Sequence, residues 1–409
     1  MDMLATLTRR GLVKQTTGVE PLNNLLDRER VTFYLGIDPT GPSLHAGHLV
    51  GLLAMAHLQR GGHQPVLLIG GATARVGDPS DKDDMRPLLP VETVTRNAKL
   101  MQQQVGRFID LEHTIVVDNA DWLGDLGYLE FLREIGPHVS VNRMLGFEAY
   151  RRRLEAGLSV LEFNYLLLQA YDYLLLNRRY GCLLQIGGDD QWANILSGVD
   201  LIRRIEQVEA HALTWPLITT SDGKKMGKTA AGALFLDPER VSPYQFYQYW
   251  INVPDRDTPS LLALLTLLSE AEVEDLAQLR DESIKVAKER LAMELTTMVH
   301  GAEEADRAFQ ASRSLFGGAI GGHEAMPSSN MAIVEVEAGV NVVELLVRSG
   351  LSTSRSEARR LIRQGGAYLN DQPWSDVEQP VGINCASEGQ IIVRAGKKRY
   401  HRFVITDVS

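Results

Sequence analysis

The chain has 409 residues, 44% hydrophobic and 23% charged, with a formal net charge of −10; that length predicts two or three domains at roughly 100–200 residues each, and the balance is that of a soluble globular protein. No run of about 18 uncharged apolar residues offers a membrane span, and the opening "MDMLATLTRRGLV" lacks the apolar core of a signal peptide. Cys182 and Cys385 lie far apart and form no disulfide or metal pattern, so a reducing, cytoplasmic setting is expected.

The acidic average argues against a nucleic-acid partner, but it hides a gradient. Residues 331–409 carry ten Lys/Arg against nine Asp/Glu, a net of +1, so the acidity belongs to the rest of the chain. A local basic face can hold phosphates even on an acidic protein.

In chain order, "VTFYLGI" (31–37) reads as a strand, and a helical pattern follows over 46–60 with Leu49, Leu52, Leu53 and Ala56 on one side. A glycine break and a buried strand near 66–69 complete a βαβ unit, which implies a parallel sheet. "TIVVDNADW" (114–122) and "CLLQIGGDDQW" (182–192) read as further buried strands, each ending in a polar loop. The predicted fold is α/β: a Rossmann-like parallel-sheet domain, then a helical domain, then a small α+β domain. The expected limits are 1–221 for the sheet domain, 222–242 for a lysine-bearing loop and connection, and 243–317 for helices. A Gly/Ser/Pro-rich linker is expected over 318–340 and a last domain over 341–409. Ligands of open parallel sheets bind at the carboxyl ends of strands. The polar residues that follow each apolar run are therefore the candidates.

The first candidate is "YLGIDPTGPSLHAGHL" (34–49), with His45 and His48 three apart around Gly47. Zinc commonly takes three or four ligands, and no partner spacing accompanies the pair. A helix start with no further role is the plain alternative. A phosphate has a mechanism: Gly47 permits close backbone approach, the helix start offers N–H groups, and Thr40 and His45 can donate. The second candidate is "SDGKKMGKT" (221–229). Its glycine spacing is not that of a P-loop. Lys225 and Lys228 are either a solvated surface pair or a loop that closes over a polyphosphate. The third is the helix "LEFNYLLLQAYDYLLLN" (161–177), where Tyr165, Gln169 and Asp172 share a stripe roughly 60° wide. No Lys or Arg occurs from 154 to 177, so this stripe reads as a pocket lining rather than a solvent face. Asp78, Asp190 and Gln191, each in a loop after a strand, add acceptors for an ammonium group and for ribose hydroxyls.

Together these stretches resemble the bacterial-type tyrosyl-tRNA synthetases, a family of class I aminoacyl-tRNA synthetases. His45-Ala46-Gly47-His48 matches the H-x-G-H signature, and Lys225-Met226-Gly227-Lys228-Thr229 is similar to the family's lysine loop. "YLGIDPT", "GGATARVGDPS", "EFNYLLLQAYD" and "LQIGGDDQW" match further blocks in order. The resemblance implies a tyrosine–tRNA ligase that activates tyrosine with Mg²⁺-bound ATP and passes it to the 3′ end of tRNA. It implies no covalent nucleophile and no structural metal. Thr40 and His45 would hold the γ-phosphate region, with Gly47 at the same ATP site, and His48 would sit by the nucleoside. Lys82, Arg86, Lys225 and Lys228 would close on the pyrophosphate. Tyr34 and Asp172 would bond the tyrosine phenol, and Asp78, Tyr165 and Gln169 its ammonium. Asp190 would take the ribose, Gln191 would lie by the carboxyl group, and Gly36, Asp38 and Asn119 would line the pocket.

Three positions draw attention. Ala46 replaces a commoner leucine, Asp189 stands where serine is usual and adds a charge beside Asp190, and Gly51 is expected to leave room near the nucleotide. Residues 341–409 resemble the small S-four RNA-binding domain. The resemblance and the charge pattern together make Arg355, Arg359, Arg360, Arg363, Arg394, Lys397, Lys398, Arg399 and Arg402 candidate tRNA contacts. The family's habit implies a homodimer joined through 131–145. Two rivals remain, a tryptophanyl-tRNA synthetase and a non-catalytic RNA-binding descendant of a synthetase.

Overall fold

Apolar strands and buried helices alternate through the first half of the chain and build an open, mostly parallel sheet. The computed structural model describes residues 2–28, 30–80, 89–219, 221, 223, 226–229, 232–317, 327–387, 389–396 and 399–406. Two compact units emerge: Met1–Gly227 with Phe235–Asp237 and Val253–Leu291, and Lys228–Leu234 with Pro238–Asn252 and Ala292–Ser409.

In the first unit, α1 (Met3–Arg9), β1 (Gln15–Thr16) and α2 (Val19–Arg28) lead into β2 (Thr32–Ile37), α3 (Leu49–Arg60) and β3 (Gln64–Ile69). Then come α4 (Val91–Val105), β4 (Ile115–Asp118), α5 (Ala120–Leu123), α6 (Tyr128–Ile135), α7 (Val141–Gly146) and α8 (Glu148–Ala156). The series closes with α9 (Val160–Tyr180), β5 (Cys182–Gly188), α10 (Trp192–Ile205) and β6 (His211–Trp215). The strand order is β1-β6-β5-β2-β3-β4. All pairings are parallel except that of the edge strand β1 with β6. The order reverses between β2 and β5, and the crevice beyond such a junction is where open sheets take ligands.

Packing explains the sequence pattern. β3 is buried from its second residue onward, and residues 49–58 of α3 are all buried, so both read as unbroken apolar runs. α9 starts at a capping box in which Ser159 accepts the Glu162 N–H and Glu162 accepts that of Ser159 at 3.1 Å. Its length holds Tyr165, Gln169 and Asp172 on one rigid element. A Cβ on Gly51 would come within 2.8 Å of the Trp215 ring, so the glycine makes room for β6 against α3.

The stretch expected to form one helical domain is divided. α11 (Pro243–Ile251) belongs to the second unit, and α12 (Thr258–Leu265) and α13 (Glu270–Ala277) to the first. α14 (Ile284–His300) passes from one to the other, and α15 (Ala302–Gly317) lies in the second. The cause on the α12 side is Arg10. Its buried guanidinium donates to the carbonyls of Thr266 and Ala263, at 2.9 and 3.3 Å, and to that of Leu268. Those carbonyls at and just beyond the helix end would otherwise lack partners. In the second unit α11 and α15 pack together, with Gln248 donating to Ser312 at 2.9 Å. That unit also holds the ribbon of β7 (Lys228–Thr229) and β8 (Gly232–Ala233).

The linker expectation over 318–340 is corrected in its second part. Residues 328–341 form β9 (Ser328–Ala332), α16 (Ile333–Ala338) and β10 (Val340–Asn341). "SSN" reads as turn chemistry, but its backbone pairs in parallel with a later strand and Met331 enters the core. After them come α17 (Val342–Arg348), α18 (Arg355–Arg363), β11 (Ala367–Leu369), β12 (Gln372–Pro373), β13 (Pro380–Val381), β14 (Gln390–Ala395) and β15 (Arg399–Thr406). Five of these strands form a sheet in the order β12-β11-β14-β15-β9, and β10 pairs with β13. Leu345, Leu346, Ile362, Val393 and Phe403 fill the core beneath α17 and α18.

Candidate active site

The loop after β2 carries Asp38, Thr40 and the histidine pair, and α4 pins it. Asn97 donates to the Pro39 carbonyl at 3.1 Å, and Gln104 accepts the Leu44 N–H at 2.8 Å. His45 and His48 then stand with ring centroids 4.1 Å apart. The Nδ1 of His45 accepts the Gly47 N–H, and that of His48 accepts the His45 N–H, each at 3.1 Å. Both rings therefore carry their proton on Nε2. Burial, with His45 alongside, lowers the His48 pKa to about 3, so its ring is neutral at pH 7. His48 can therefore donate a hydrogen bond without bearing charge. The Gly47 N–H is thereby taken up by His45.

The two signature stretches meet. Gly227 has φ +79°, and a Cβ on it would come 2.9 Å from the Ala46 Cβ and 3.7 Å from the Gly47 nitrogen. Leu236 donates its N–H to the Leu44 carbonyl at 2.9 Å, and His45 bridges Phe235, which ties the chain after the lysine loop to the histidines. The small Ala46 gives Gly227 room. Lys82, Arg86 and Lys225 lie outside the described residues, and of Lys228 only the backbone, in β7, is described.

Deeper in the crevice, Asp172 is 1% exposed. Its oxygens accept the Trp122 indole N–H at 2.7 Å and the Asn119 amide at 2.9 Å. Burial raises its pKa to about 7 against the pull of those two bonds. Asn119 also donates to Thr73 at 2.9 Å and accepts the Ala72 N–H at 2.8 Å, which fixes its amide. Tyr34, wholly buried, packs its ring 5.2 Å from that of Tyr173, and its hydroxyl has no partner among the described residues. Burial and the nearby Asp172 keep that phenol protonated. Gly36 is exposed although its strand is central, so open space lies above the strand end.

The acidic side is held by two sets of hydrogen bonds. Tyr165 and Thr73 donate to the two oxygens of Asp38, at 2.8 and 2.7 Å. Gln191 donates to Asp78 at 2.6 Å and to Asp190 at 3.1 Å. Asn194 donates to Gln169 at 3.1 Å and to Gln191 at 3.2 Å. Thus Tyr34, Asp38, Asp78, Asn119, Tyr165, Gln169, Asp172, Asp190 and Gln191 converge at the β2–β5 junction. Trp122 and Asn194 were missed because a tryptophan after a strand and an asparagine early in a helix have ordinary structural explanations. Asp189 turns away from the crevice: one oxygen accepts Gln15 at 2.6 Å and Thr214 at 3.1 Å.

On the last domain, Arg355, Arg359, Arg360 and Arg363 are exposed on α18. The later arginines are engaged at home. Arg394 stacks 3.5 Å over the Tyr368 ring and pairs with Asp371 at 3.2 Å. Arg399 donates to the Leu351 carbonyl at 2.9 Å, and Arg402 to Gln390 at 3.4 Å. Lys397 and Lys398 lie outside the described residues.

Residues 26–317 match the family described as tRNA synthetases class I (W and Y), and residues 322–403 match the C-terminal domain of tyrosine–tRNA ligases. The tyrosine–tRNA ligase of Clostridium tetani is 49% identical over 99% of both chains, and that of Caldanaerobacter subterraneus is 49% identical over 100% of both. Among solved structures, a C-terminally truncated mitochondrial tyrosyl-tRNA synthetase of Aspergillus nidulans superposes with TM-score 0.70 at 29% identity. It covers 77% of this chain and 94% of its own.

Proposed function

This chain belongs to the class I tRNA synthetases that serve tryptophan and tyrosine, and we propose that the crevice at the β2–β5 junction is where it activates its amino acid. It is a tyrosine–tRNA ligase. A tyrosine carboxylate oxygen attacks the α-phosphorus of ATP, the bond to the β-phosphate oxygen breaks, and pyrophosphate leaves with its Mg²⁺. A terminal ribose hydroxyl of tRNA then attacks the tyrosyl carbonyl, and AMP departs. No protein nucleophile takes part; the residues position the groups and compensate charge.

The observation that carries the tyrosine assignment is the Tyr34 hydroxyl. It is buried without a partner, near a carboxylate that Trp122 and Asn119 hold in place. A buried polar pair is costly unless a ligand hydroxyl completes it, so the site favours a phenol over a bare ring. Asp78, Tyr165 with Asp38, and Gln169 serve the ammonium, Asp190 serves the ribose, and Gln191 lies by the carboxyl group. The Nε2–H of His45 serves the γ-phosphate region with Thr40, and His48 lies by the nucleoside. Lys82, Arg86, Lys225 and Lys228 accompany the pyrophosphate.

The chain acts as a cytoplasmic homodimer. Exposed Tyr128, Leu129, Leu132, Val141, Val160 and Leu161, all within residues 128–161, support a subunit contact there. The test is tyrosine-dependent ATP–pyrophosphate exchange with Tyr34→Phe. Activity that is retained, with discrimination against phenylalanine relaxed, is expected; an unchanged ratio of the two specificity constants would remove Tyr34 from phenol recognition.

A further inference from the structure

Asn194, the third residue of α10, is wholly buried between two glutamines of the crevice. Its amide nitrogen lies 3.1 Å from Gln169 Oε1, 3.2 Å from Gln191 Oε1 and 3.4 Å from Ser80 Oγ. The polarity of this series of amides is set from one end. Gln191 Nε2 faces the carboxylates of Asp78 and Asp190, which only accept. Its oxygen must therefore face Asn194, and Asn194 must answer with N–H. The second hydrogen of the same group reaches Gln169 and fixes that amide as well. Asn194 Oδ1 has no partner among the described residues, so the side chain is held for what it donates and not for what it accepts.

We propose that Asn194 is a positioning residue for tyrosine activation: it relays the polarity that the two carboxylates give Gln191 and so sets which pole of Gln169 meets the α-amino acid end of the substrate. This rests on reading those two glutamines as substrate contacts. With Asn194 in place, Gln169 keeps its carbonyl oxygen fixed, with a second lone pair for an ammonium N–H. Gln191 keeps its N–H₂ edge on Asp78 and Asp190. Without the donor, Gln191 is still held by the two carboxylates, whereas the Gln169 amide loses the bond that fixes its orientation.

The test uses the full-length enzyme with Asn194→Leu, which keeps the branched shape and removes the donors, and Asn194→Asp as a second variant. Both are compared with Gln169→Ala and Gln191→Ala. The readouts are the KM for tyrosine in pyrophosphate exchange and the inhibition constant of 4-ethylphenol, which has the phenol but neither ammonium nor carboxylate. The tyrosine KM should rise roughly 10- to 100-fold, the scale of removing one hydrogen bond to a charged group, while 4-ethylphenol inhibits as before. Equal weakening of both ligands would reduce Asn194 to packing and overturn the proposal, as would an unchanged tyrosine KM beside impaired glutamine variants. If the glutamine variants themselves bind tyrosine normally, the reading of the site fails first and the proposal falls with it.

Discussion

Trp122 donates its indole N–H to the Asp172 carboxylate at 2.7 Å, while burial pushes that carboxyl up to about 7. The two effects oppose each other, and the balance leaves Asp172 titrating in the working range of the enzyme. In the proposed site the ionised form would accept the substrate phenol, and protonation would remove that acceptor.

Specificity for tyrosine should therefore depend on pH in the free enzyme. Below the Asp172 pKa of about 7, kcat/KM for tyrosine in exchange should fall, approaching about tenfold per pH unit. Trp122→Phe removes a bond that favours the carboxylate, so the inflection should move upward by about one pH unit. A profile that stays flat from about pH 6 to 8 would mean Asp172 keeps one protonation state throughout.

Asp189 was expected to burden the nucleotide with a second negative charge beside Asp190. Gln15 and Thr214, opposite each other in the β1–β6 register, instead hold one oxygen of Asp189 away from the crevice. The carboxylate fastens the loop that carries Asp190 and Gln191 to the sheet edge. Asp189→Asn keeps an acceptor for both donors and should leave the KM for ATP nearly unchanged. Asp189→Ala loses both bonds and should raise it by roughly 3- to 10-fold. Steady-state exchange against ATP concentration separates the two; equal effects would make charge, and not anchoring, the role of this residue.

Gly227 joins the two signature stretches through a backbone that an L side chain rarely adopts. Alanine there meets Ala46 at 2.9 Å and must also carry φ +79°. The strain is of order 1–3 kcal/mol, which the loop escapes by lifting from the histidines. Gly227→Ala should thus slow adenylate formation in a single turnover about 10-fold or more, with tyrosine affinity little changed. Lys225→Ala and Lys228→Ala should share that signature. A loss of tyrosine affinity as large as the loss of rate would disconnect the loop from pyrophosphate departure.

Much of this architecture was legible because its signals are local. The apolar runs of β3 and α3 and the polar stripe on α9, in a stretch free of Lys and Arg, each follow from residues a few positions apart. The crevice residues themselves were legible by resemblance to known blocks. What escaped depends on contacts between distant stretches. Nothing near Asn194 reveals that Gln169 lies across from it, and nothing near Arg10 announces the end of α12. Residues 328–332 carry turn chemistry and become a strand only because the edge of β15 is there to pair with. Arg394 belongs to a basic run in sequence, yet in space it belongs to Tyr368 and Asp371.

That last contrast divides the arginines of the C-terminal domain into two groups with opposite expected behaviour. Arg355, Arg359 and Arg363 recur every four residues on α18, which puts them within about 80° of one another, and all three are exposed. Replacing the three with glutamine should weaken tRNA binding and lower the slope of log affinity against log salt by about one for each phosphate no longer neutralised. Arg394→Gln should do neither. It forfeits stacking on Tyr368 and the Asp371 pair, so its effect should appear as a lowered unfolding temperature of the domain. A chain ending at 317 removes every element from β9 onward without cutting a strand. It should keep tyrosine-dependent exchange within about twofold of the full chain, because the crevice residues precede the cut, while aminoacylation falls. If the glutamine triple variant bound tRNA with the wild-type salt slope, the α18 face would be ordinary solvated surface and the tRNA contact would have to be sought elsewhere on the chain.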